Sequence, residues 1–226
     1  MQESNHIESV KPIRSSSKSS EVFEALRLAI LSRRLLPGDA LKEAHVARQM
    51  HVSQVPVREA LLQLENLGLV TRVPDTGTTV TKLTRREMVE LVEVRAHLED
   101  LAFRLAAKRM TPELEQRLRK AAKEISRKAS TDDYYAAARA DIEFHRTVWQ
   151  ASGNTMLEKT LEKLCTAFYA FVSQQRREAG EHLKDTLRQH EVLIDALLSK
   201  KASTISSAVN NHINEKSCIP SSILSE

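Results

Sequence analysis

The sequence predicts a mainly α protein that contains a single β-hairpin. Three observations predict this class. Residues that break helices are scarce, with Gly 5 and Pro 6 in 226 residues, and this scarcity favours helices. Apolar residues recur at helical spacing over most of the chain. Strand-type patterns are confined to two short runs, 69–73 and 78–81, with the turn sequence Pro74-Asp75-Thr76-Gly77 between them.

The N-terminal elements follow the order helix, helix, helix, hairpin. An apolar stripe through Val22, Leu26 and Ile30 indicates the first helix, which ends at the turn sequence 36–39. Two short helical stretches follow, at about 43–50 and 54–67, before the hairpin. This order is that of a winged helix-turn-helix, a module that binds DNA through the second helix of the pair. Short three-helix modules also dock other proteins, so both interpretations stay open from the layout alone.

The rest of the chain carries no further strand pattern. Apolar positions continue at helical spacing from Met88 to Ile213, and Thr111-Pro112 is typical of a helix start. We therefore predict an all-α bundle of six or seven helices. The predicted segments are a disordered tail (1–18), a winged helix-turn-helix domain (19–82), an all-helical domain (83–216) and a second tail (217–226).

Bulk composition excludes several classes of protein. The hydrophobic content of 41% and charged content of 28% are those of a globular protein, and a net charge of +4 is too small to argue for nucleic acid by itself. Two cysteines are too few for a disulfide framework. No apolar run approaches the roughly 20 residues of a membrane helix, and no signal peptide is recognisable. We expect a cytoplasmic protein without a membrane partner.

The helix predicted over 54–67 presents polar residues at its first turns, the part that a helix-turn-helix inserts into the major groove. Arg58 suits a guanine edge, Gln54 an adenine edge and Val55 a thymine methyl, while a phosphate fits the amides behind the predicted N-cap, Ser53. The alternative is that Arg58 only forms a surface salt bridge with one of two acidic residues of the same helix. These residues are Glu59 and Glu65.

Four polar residues lie on helix faces that are otherwise apolar. Asp141 and His145 are one turn apart on one helix, and His190 and His212 each lie in the apolar stripe of a later helix. A buried histidine is usually a hydrogen-bonded core residue. Three imidazoles and a carboxylate are also a ligand set for a divalent transition metal, zinc or alternatively nickel or manganese. Both interpretations stay open from the residues alone.

Arg95 also lies in an apolar stripe, between Val92 and Leu98. A buried guanidinium requires an anionic partner. That partner is either an internal carboxylate or the carboxylate of a bound effector. The internal candidates are Asp141, Glu99 and Glu143.

The run Val52-Ser53-Gln54-Val55-Pro56-Val57-Arg58-Glu59-Ala60-Leu61, together with Leu36-Pro37-Gly38-Asp39-Ala40-Leu41, resembles the GntR family of bacterial regulators. The resemblance implies a homodimer on double-stranded palindromic operator DNA, with Gly77 of the wing at the DNA backbone or minor groove. Two positions depart from the family: Ala44 and Gln54 stand where members often have Arg. We therefore expect DNA binding to persist with a different operator sequence.

The second half resembles the FadR C-terminal domain (FCD) subgroup of that family. The resemblance rests on three runs: Glu93–Glu99, Asp141–His145 and Ala151–Asn154. In the metal-binding branch the positions of Asp141, His145, His190 and His212 ligate the ion, and the resemblance favours Arg95 as the group that grips a carboxylate effector. Asn154 is a further candidate for contact with the effector, although an Asn after Gly is also a common cap residue.

These features predict a transcription repressor that senses a small carboxylic acid. Two alternatives remain. The metal is purely structural, or the site is a metal-dependent hydrolase. Hydrolysis also needs a general base, and Glu143 lies off the face that carries the ligands. We therefore expect no enzymatic activity.

Overall fold

The computed structural model describes residues 17–73, 77–131, 133–179 and 186–214. The predicted fold class is confirmed: within these ranges three helices and a hairpin precede six further helices. The elements are α1 (Ser17–Leu31), α2 (Glu43–Gln49), α3 (Gln54–Asn66), β1 (Val70–Val73), β2 (Gly77–Val80), α4 (Arg85–Ala107), α5 (Pro112–Ala129), α6 (Tyr134–Ala151), α7 (Thr155–Ala179), α8 (Thr186–Ser199) and α9 (Ala202–Asn214).

Some sequence predictions concern residues outside the described ranges. The hairpin turn at 74–76, the tail at 217–226 and most of the tail at 1–18 are among them. Helix α1 begins at Ser17, two residues before the boundary predicted at residue 19. No helix in the described part of the chain is long and apolar enough to cross a membrane.

The first core joins α1, the helix pair α2–α3 and the hairpin. Helix α1 buries Val22 and Leu26, which recur one turn apart, against the inward face of α3. That face carries Val57, Leu61 and Leu64, each at most 1% exposed. Fully burying such a side chain stabilises the fold by about 1.5–3 kcal/mol. The packing holds α3 by its apolar side and leaves its polar side in solvent.

The hairpin is antiparallel, with Val70 opposite Val80 and Val73 opposite Gly77. Gly77 has a φ of +101°, and nothing lies within 4 Å of the position a Cβ would occupy. Its backbone conformation, and not crowding, therefore favours glycine there. The amide of Leu41 donates to the carbonyl of Thr78 over 2.7 Å, which ties the start of the helix pair to the wing.

Helix α4 is central to the second core. It begins with a capping box, in which the Thr84 side chain accepts from the Glu87 amide and the Glu87 carboxylate accepts from the Thr84 amide. Along its length α4 contacts α6, α7, α8 and α9. Its start lies five residues after the end of β2.

Candidate functional site

Three helices of the bundle bring Asp141, His145, His190 and His212 together. Asp141 and His145 lie one turn apart on α6, His190 lies on α8 and His212 on α9. One ligand atom from each residue lies within 4.8 Å of all the others. The three histidines are buried, while the Asp141 side chain is 19% exposed. The structure therefore gathers the four residues into one cluster, here called the four-ligand cluster.

The ring nitrogens face one another inside this cluster. Nε2 of His190 lies 2.8 Å from Oδ1 of Asp141. Nε2 of His145 lies 3.2 Å from Nε2 of His212 and 4.0 Å from Oδ2 of Asp141. The ring of Phe144 packs edge-on against His190, with 4.7 Å between ring centroids. Apolar packing thus surrounds the rings while their nitrogens converge.

The surroundings shift the pKa of two members of the cluster, Asp141 and His212. Burial by itself would raise the pKa of Asp141, but the hydrogen bond from His190 and the nearby imidazoles outweigh it and hold that pKa well below its usual value. Burial, reinforced by the charges of His190 and His145, lowers the pKa of His212 well below its usual value. At neutral pH Asp141 is a carboxylate and His212 is neutral, as ligation requires.

The donor set fits a divalent transition metal. Imidazole nitrogen and carboxylate oxygen are ligands of zinc and nickel in proteins. Two nitrogens on one tetrahedral zinc, each bonded at about 2.0–2.1 Å, are about 3.3 Å apart. The 3.2 Å separation of the His145 and His212 Nε2 atoms matches this spacing. These residues therefore fit a metal as a group, while the identity of the ion stays a proposal.

Glu99 of α4 contacts the four-ligand cluster through His145, a contact that the sequence did not predict. It is fully buried, and its Oε2 accepts from Nδ1 of His145 at 3.1 Å and from Nε1 of Trp149 at 2.9 Å. Burial would raise the pKa of Glu99, but the His145 and Arg95 charges and the hydrogen bonds outweigh it and lower that pKa. Glu99 is thus an ionised acceptor that holds the ring of His145 from behind.

Arg95 is 1% exposed and has an internal anionic partner. Its Nη2 lies 3.3 Å from Oε1 of Glu99 and donates to the Tyr169 hydroxyl over 2.7 Å. Its guanidinium lies 4.8 Å from the ring centroid of Phe168 and 4.9 Å from that of Tyr169. Glu99 is one of the three internal carboxylates predicted as partners, and it pairs with Arg95. Contact between Arg95 and an effector stays a prediction.

Asn154 lies at the start of α7. Its side-chain Oδ1 accepts from the amide of Leu157 at 3.1 Å, and its own amide donates to Oγ of Ser152 at 3.1 Å. This is the hydrogen bonding of a helix N-cap. The residue is also exposed at the protein surface. Its cap role is therefore visible, and its contact with an effector stays a prediction.

The first turn of α3 lies open to solvent, as a surface that enters a groove must. Ser53 is the N-cap residue by position, with extended backbone and no side-chain hydrogen bond to the helix. Gln54 follows it in the exposed class, and Val55 is 60% exposed although it is apolar. These residues and Arg58 are here called the recognition surface.

Arg58 pairs with Glu43 of α2, and not with Glu59 or Glu65 as the sequence alternative had it. Its Nε and Nη2 lie 3.0 and 2.8 Å from Oε2 of Glu43. The hydrogen bond to Arg58 lowers the pKa of Glu43 against a smaller opposing effect of burial. Arg72 of β1 reaches the other oxygen of Glu43 at 3.3 Å. The carboxylate thus joins α2, α3 and the wing.

Both halves of the chain match known protein families. Residues 18–80 match the profile of the bacterial regulatory proteins of the gntR family, and residues 90–215 match the FCD domain. The chain belongs to the GntR family. The predicted family and subgroup are therefore confirmed, and this regulator carries the helix-turn-helix that implies DNA binding beside a domain that implies a small-molecule effector.

Individual relatives are regulators as well. The GntR protein is 29% identical over 195 residues to a probable D-xylose utilization operon transcriptional repressor of Paenarthrobacter nicotinovorans, covering 86% of this chain and 85% of that one. It is 28% identical to the HTH-type transcriptional repressor RspR of Escherichia coli K12, covering 87% and 86%. The solved structure of E. coli McbR/YncC has the same fold, with a TM-score of 0.75 at 22% identity over 89% of this chain and 96% of that one. The protein is a DNA-binding transcription regulator.

Proposed function

We propose that this regulator is a repressor that binds a palindromic operator as a homodimer and changes its affinity when a small carboxylic acid binds in the helical domain. The observation that carries the proposal is the buried four-ligand cluster, linked through Glu99 to the buried guanidinium of Arg95. A cation site and a guanidinium that both neighbour the Glu99 carboxylate suit one anionic ligand. The proposed domains are 19–82 for DNA and 83–216 for effector, metal and dimerisation.

Asp141, His145, His190 and His212 would hold the ion, zinc or alternatively nickel or manganese. When bound, a divalent cation supplies positive charge that attracts a carboxylate oxygen. The protein contributes the orientation of the ligands. Glu99 holds the His145 ring, and the apolar wall formed by Phe144 and its neighbours keeps water from the buried nitrogens. Exposure of part of Asp141 gives the cluster one side that solvent reaches.

The link to DNA runs through α4. An acid that binds Arg95 competes with Glu99, because the Glu99 carboxylate, one turn away on the same helix, already pairs with that guanidinium. Weakening this pair changes how α4 packs on α6 and α7, which supply Trp149 and Tyr169 to the same network. Because α4 follows the wing so closely, the change biases the placement of α3 in the operator.

On the operator, α3 lies in the major groove. Arg58 contacts a guanine edge, Gln54 an adenine edge and Val55 a thymine methyl, and the amides behind Ser53 bind a phosphate. Gly77 brings the wing backbone close to the DNA, which its open surroundings permit. Binding to double-stranded DNA is the family's function; these individual contacts are the proposal.

The test uses the full chain with metal content measured by elemental analysis. Its operator is first obtained by random-sequence selection, and small carboxylic acids are then titrated into the complex. Each acid has its primary amide as a matched neutral control. We expect one class of acid, and not the amides, to change operator affinity by about 5- to 150-fold, with the response lost on chelation and restored by zinc. If chelation unfolds the helical domain and no acid changes affinity, the metal is purely structural.

A further inference from the structure

Glu43 places a negative charge between two arginines of the helix-turn-helix domain. It is the first residue of α2, and its carboxylate touches Arg58 of the recognition helix and Arg72 of the wing. A carboxylate at a DNA-facing surface repels phosphates and offsets the charge of a neighbouring arginine. A surface that evolved for affinity alone has no use for such a group. We therefore ask whether Glu43 contributes to DNA recognition by orienting Arg58.

The geometry of the Glu43–Arg58 pair leaves one edge of the guanidinium available to a base. A guanidinium has five N–H groups in a rigid plane. Glu43 accepts from the edge formed by Nε and Nη2 of Arg58. The remaining donors lie on Nη1 and on the outer side of Nη2, and no hydrogen bond to a described residue occupies them. Two such donors side by side are what a bidentate contact to guanine O6 and N7 needs.

The exposed fractions of the three side chains indicate that Glu43 fixes the position of Arg58. The Glu43 side chain is 23% exposed, against 57% for Arg58 and 36% for Arg72. The carboxylate is thus partly enclosed beneath the more exposed Arg58, and the second arginine fixes its other oxygen. A long side chain held on one edge before DNA arrives loses less conformational freedom when it binds.

We propose that Glu43 is a specificity-determining positioning residue, which holds Arg58 by one edge so that the opposite edge meets a guanine. Its negative charge also lowers affinity for DNA of any sequence, so both effects widen the gap between operator and other DNA. The inference rests on the proposed contact of Arg58 with DNA, and it assigns to Glu43 no contact with a base.

The experiment compares two duplexes of equal length at one salt concentration: a sequence enriched from a random pool by the full chain, and a shuffled version. Fluorescence anisotropy measures the affinity of Glu43→Gln and of Glu59→Gln for both duplexes. Glu59 is an exposed acid on α3 that does not contact Arg58, so its replacement removes the same charge without changing the pair. We expect Glu43→Gln to bind the shuffled duplex about two- to fivefold more tightly and the enriched duplex no more tightly, so that their ratio falls. Glu59→Gln is expected to raise both affinities in parallel and keep the ratio.

Two further variants separate position from charge. Glu43→Asp keeps the charge but shortens the reach, so the shuffled duplex should bind as in the parent while the ratio falls. In Arg58→Gln the ratio collapses by about 5- to 150-fold, and adding Glu43→Gln to it should change the ratio no further. Circular dichroism melting confirms that each variant is folded.

The possible failures differ. If Arg58→Gln keeps the parent ratio, the proposed DNA contact of Arg58 is wrong. If Arg58→Gln loses specificity while Glu43→Gln shifts both duplexes in parallel, like Glu59→Gln, the positioning role of Glu43 is overturned on its own. A parallel loss of affinity for both duplexes in Glu43→Asp would likewise overturn it, because it would show a purely structural tie.

Discussion

Nδ1 of His145 lies 3.1 Å from Oε2 of Glu99, and this contact determines which nitrogen of the ring carries the proton. An ionised carboxylate only accepts, so Nδ1 must donate. In the neutral ring, Nε2 then presents a lone pair toward His212 and Asp141. Because Trp149 donates to the same oxygen at 2.9 Å, the carboxylate cannot easily turn away. Helix α4 thus sets the chemistry of a ligand on α6.

The first prediction concerns this tautomer. In the metal-free protein His145 should carry its proton on Nδ1, because the buried Glu99 carboxylate stabilises that form. Nitrogen-15 NMR of selectively labelled histidine measures it directly. Replacing Glu99 by Gln should weaken metal binding by about 10- to 100-fold in a chelator competition. Glu143→Gln, an exposed acid elsewhere on α6, should leave both readouts unchanged; a proton found on Nε2 in the parent would contradict the argument.

The second prediction concerns the ligand set. His190→Ala should remove bound metal, because Nε2 of His190 faces the Asp141 carboxylate at 2.8 Å and that donor is lost. Elemental analysis should show metal in the parent and none in the variant. His97→Ala is the matched control, since His97 is an exposed histidine of the same domain whose Nδ1 contacts the Glu93 carbonyl. Full metal occupancy in His190→Ala would show that the four-ligand cluster is wrongly composed.

The third prediction separates the two roles of Asn154. Because Asn154 caps the N-terminus of α7, Asn154→Ala should lower the free energy of unfolding by about 1 kcal/mol, as measured by urea denaturation. Asn154→Asp keeps an oxygen acceptor for the Leu157 amide and should restore stability. If Asn154 also contacts the acid, Asn154→Asp should weaken acid binding through charge repulsion. Equal acid affinity in the parent and in Asn154→Asp would leave the cap as its role.

Helical periodicity was sufficient to predict the helices of the bundle and to find the cluster residues. A helix turns one face inward at every third or fourth residue, so a polar side chain on that face stands out from the sequence alone. Asp141, His145, His190 and His212 were found in this way, with the family resemblance naming their role. That they meet at one point depends on the packing of α6, α8 and α9, which the resemblance and not the periodicity supplied.

Pairings between helices could not be predicted from the same pattern. Glu99 and His145 are 46 positions apart, and Arg58 and Glu43 are 15 apart. Which side chains touch depends on how far each helix slides and rotates against the next, and the period of a single helix does not record that. The salt bridge predicted from sequence accordingly paired Arg58 with Glu59 or Glu65 of its own helix, where residue spacing alone identifies neighbours. The partner belongs to α2.

The last prediction follows from the departure at Gln54. Family members often carry Arg there, and Gln54 lies exposed in the first turn of α3, where a cation would approach phosphate or guanine. Gln54→Arg should therefore tighten operator binding, increase the slope of log affinity against log salt by about 0.9 and shift the sequence enriched from a random pool. Gln63→Arg adds the same charge near the other end of the helix and should raise affinity without changing the enriched sequence. If both variants enrich the parent sequence, the first turn of α3 does not determine which operator is bound, and the departure at Gln54 has no effect on specificity.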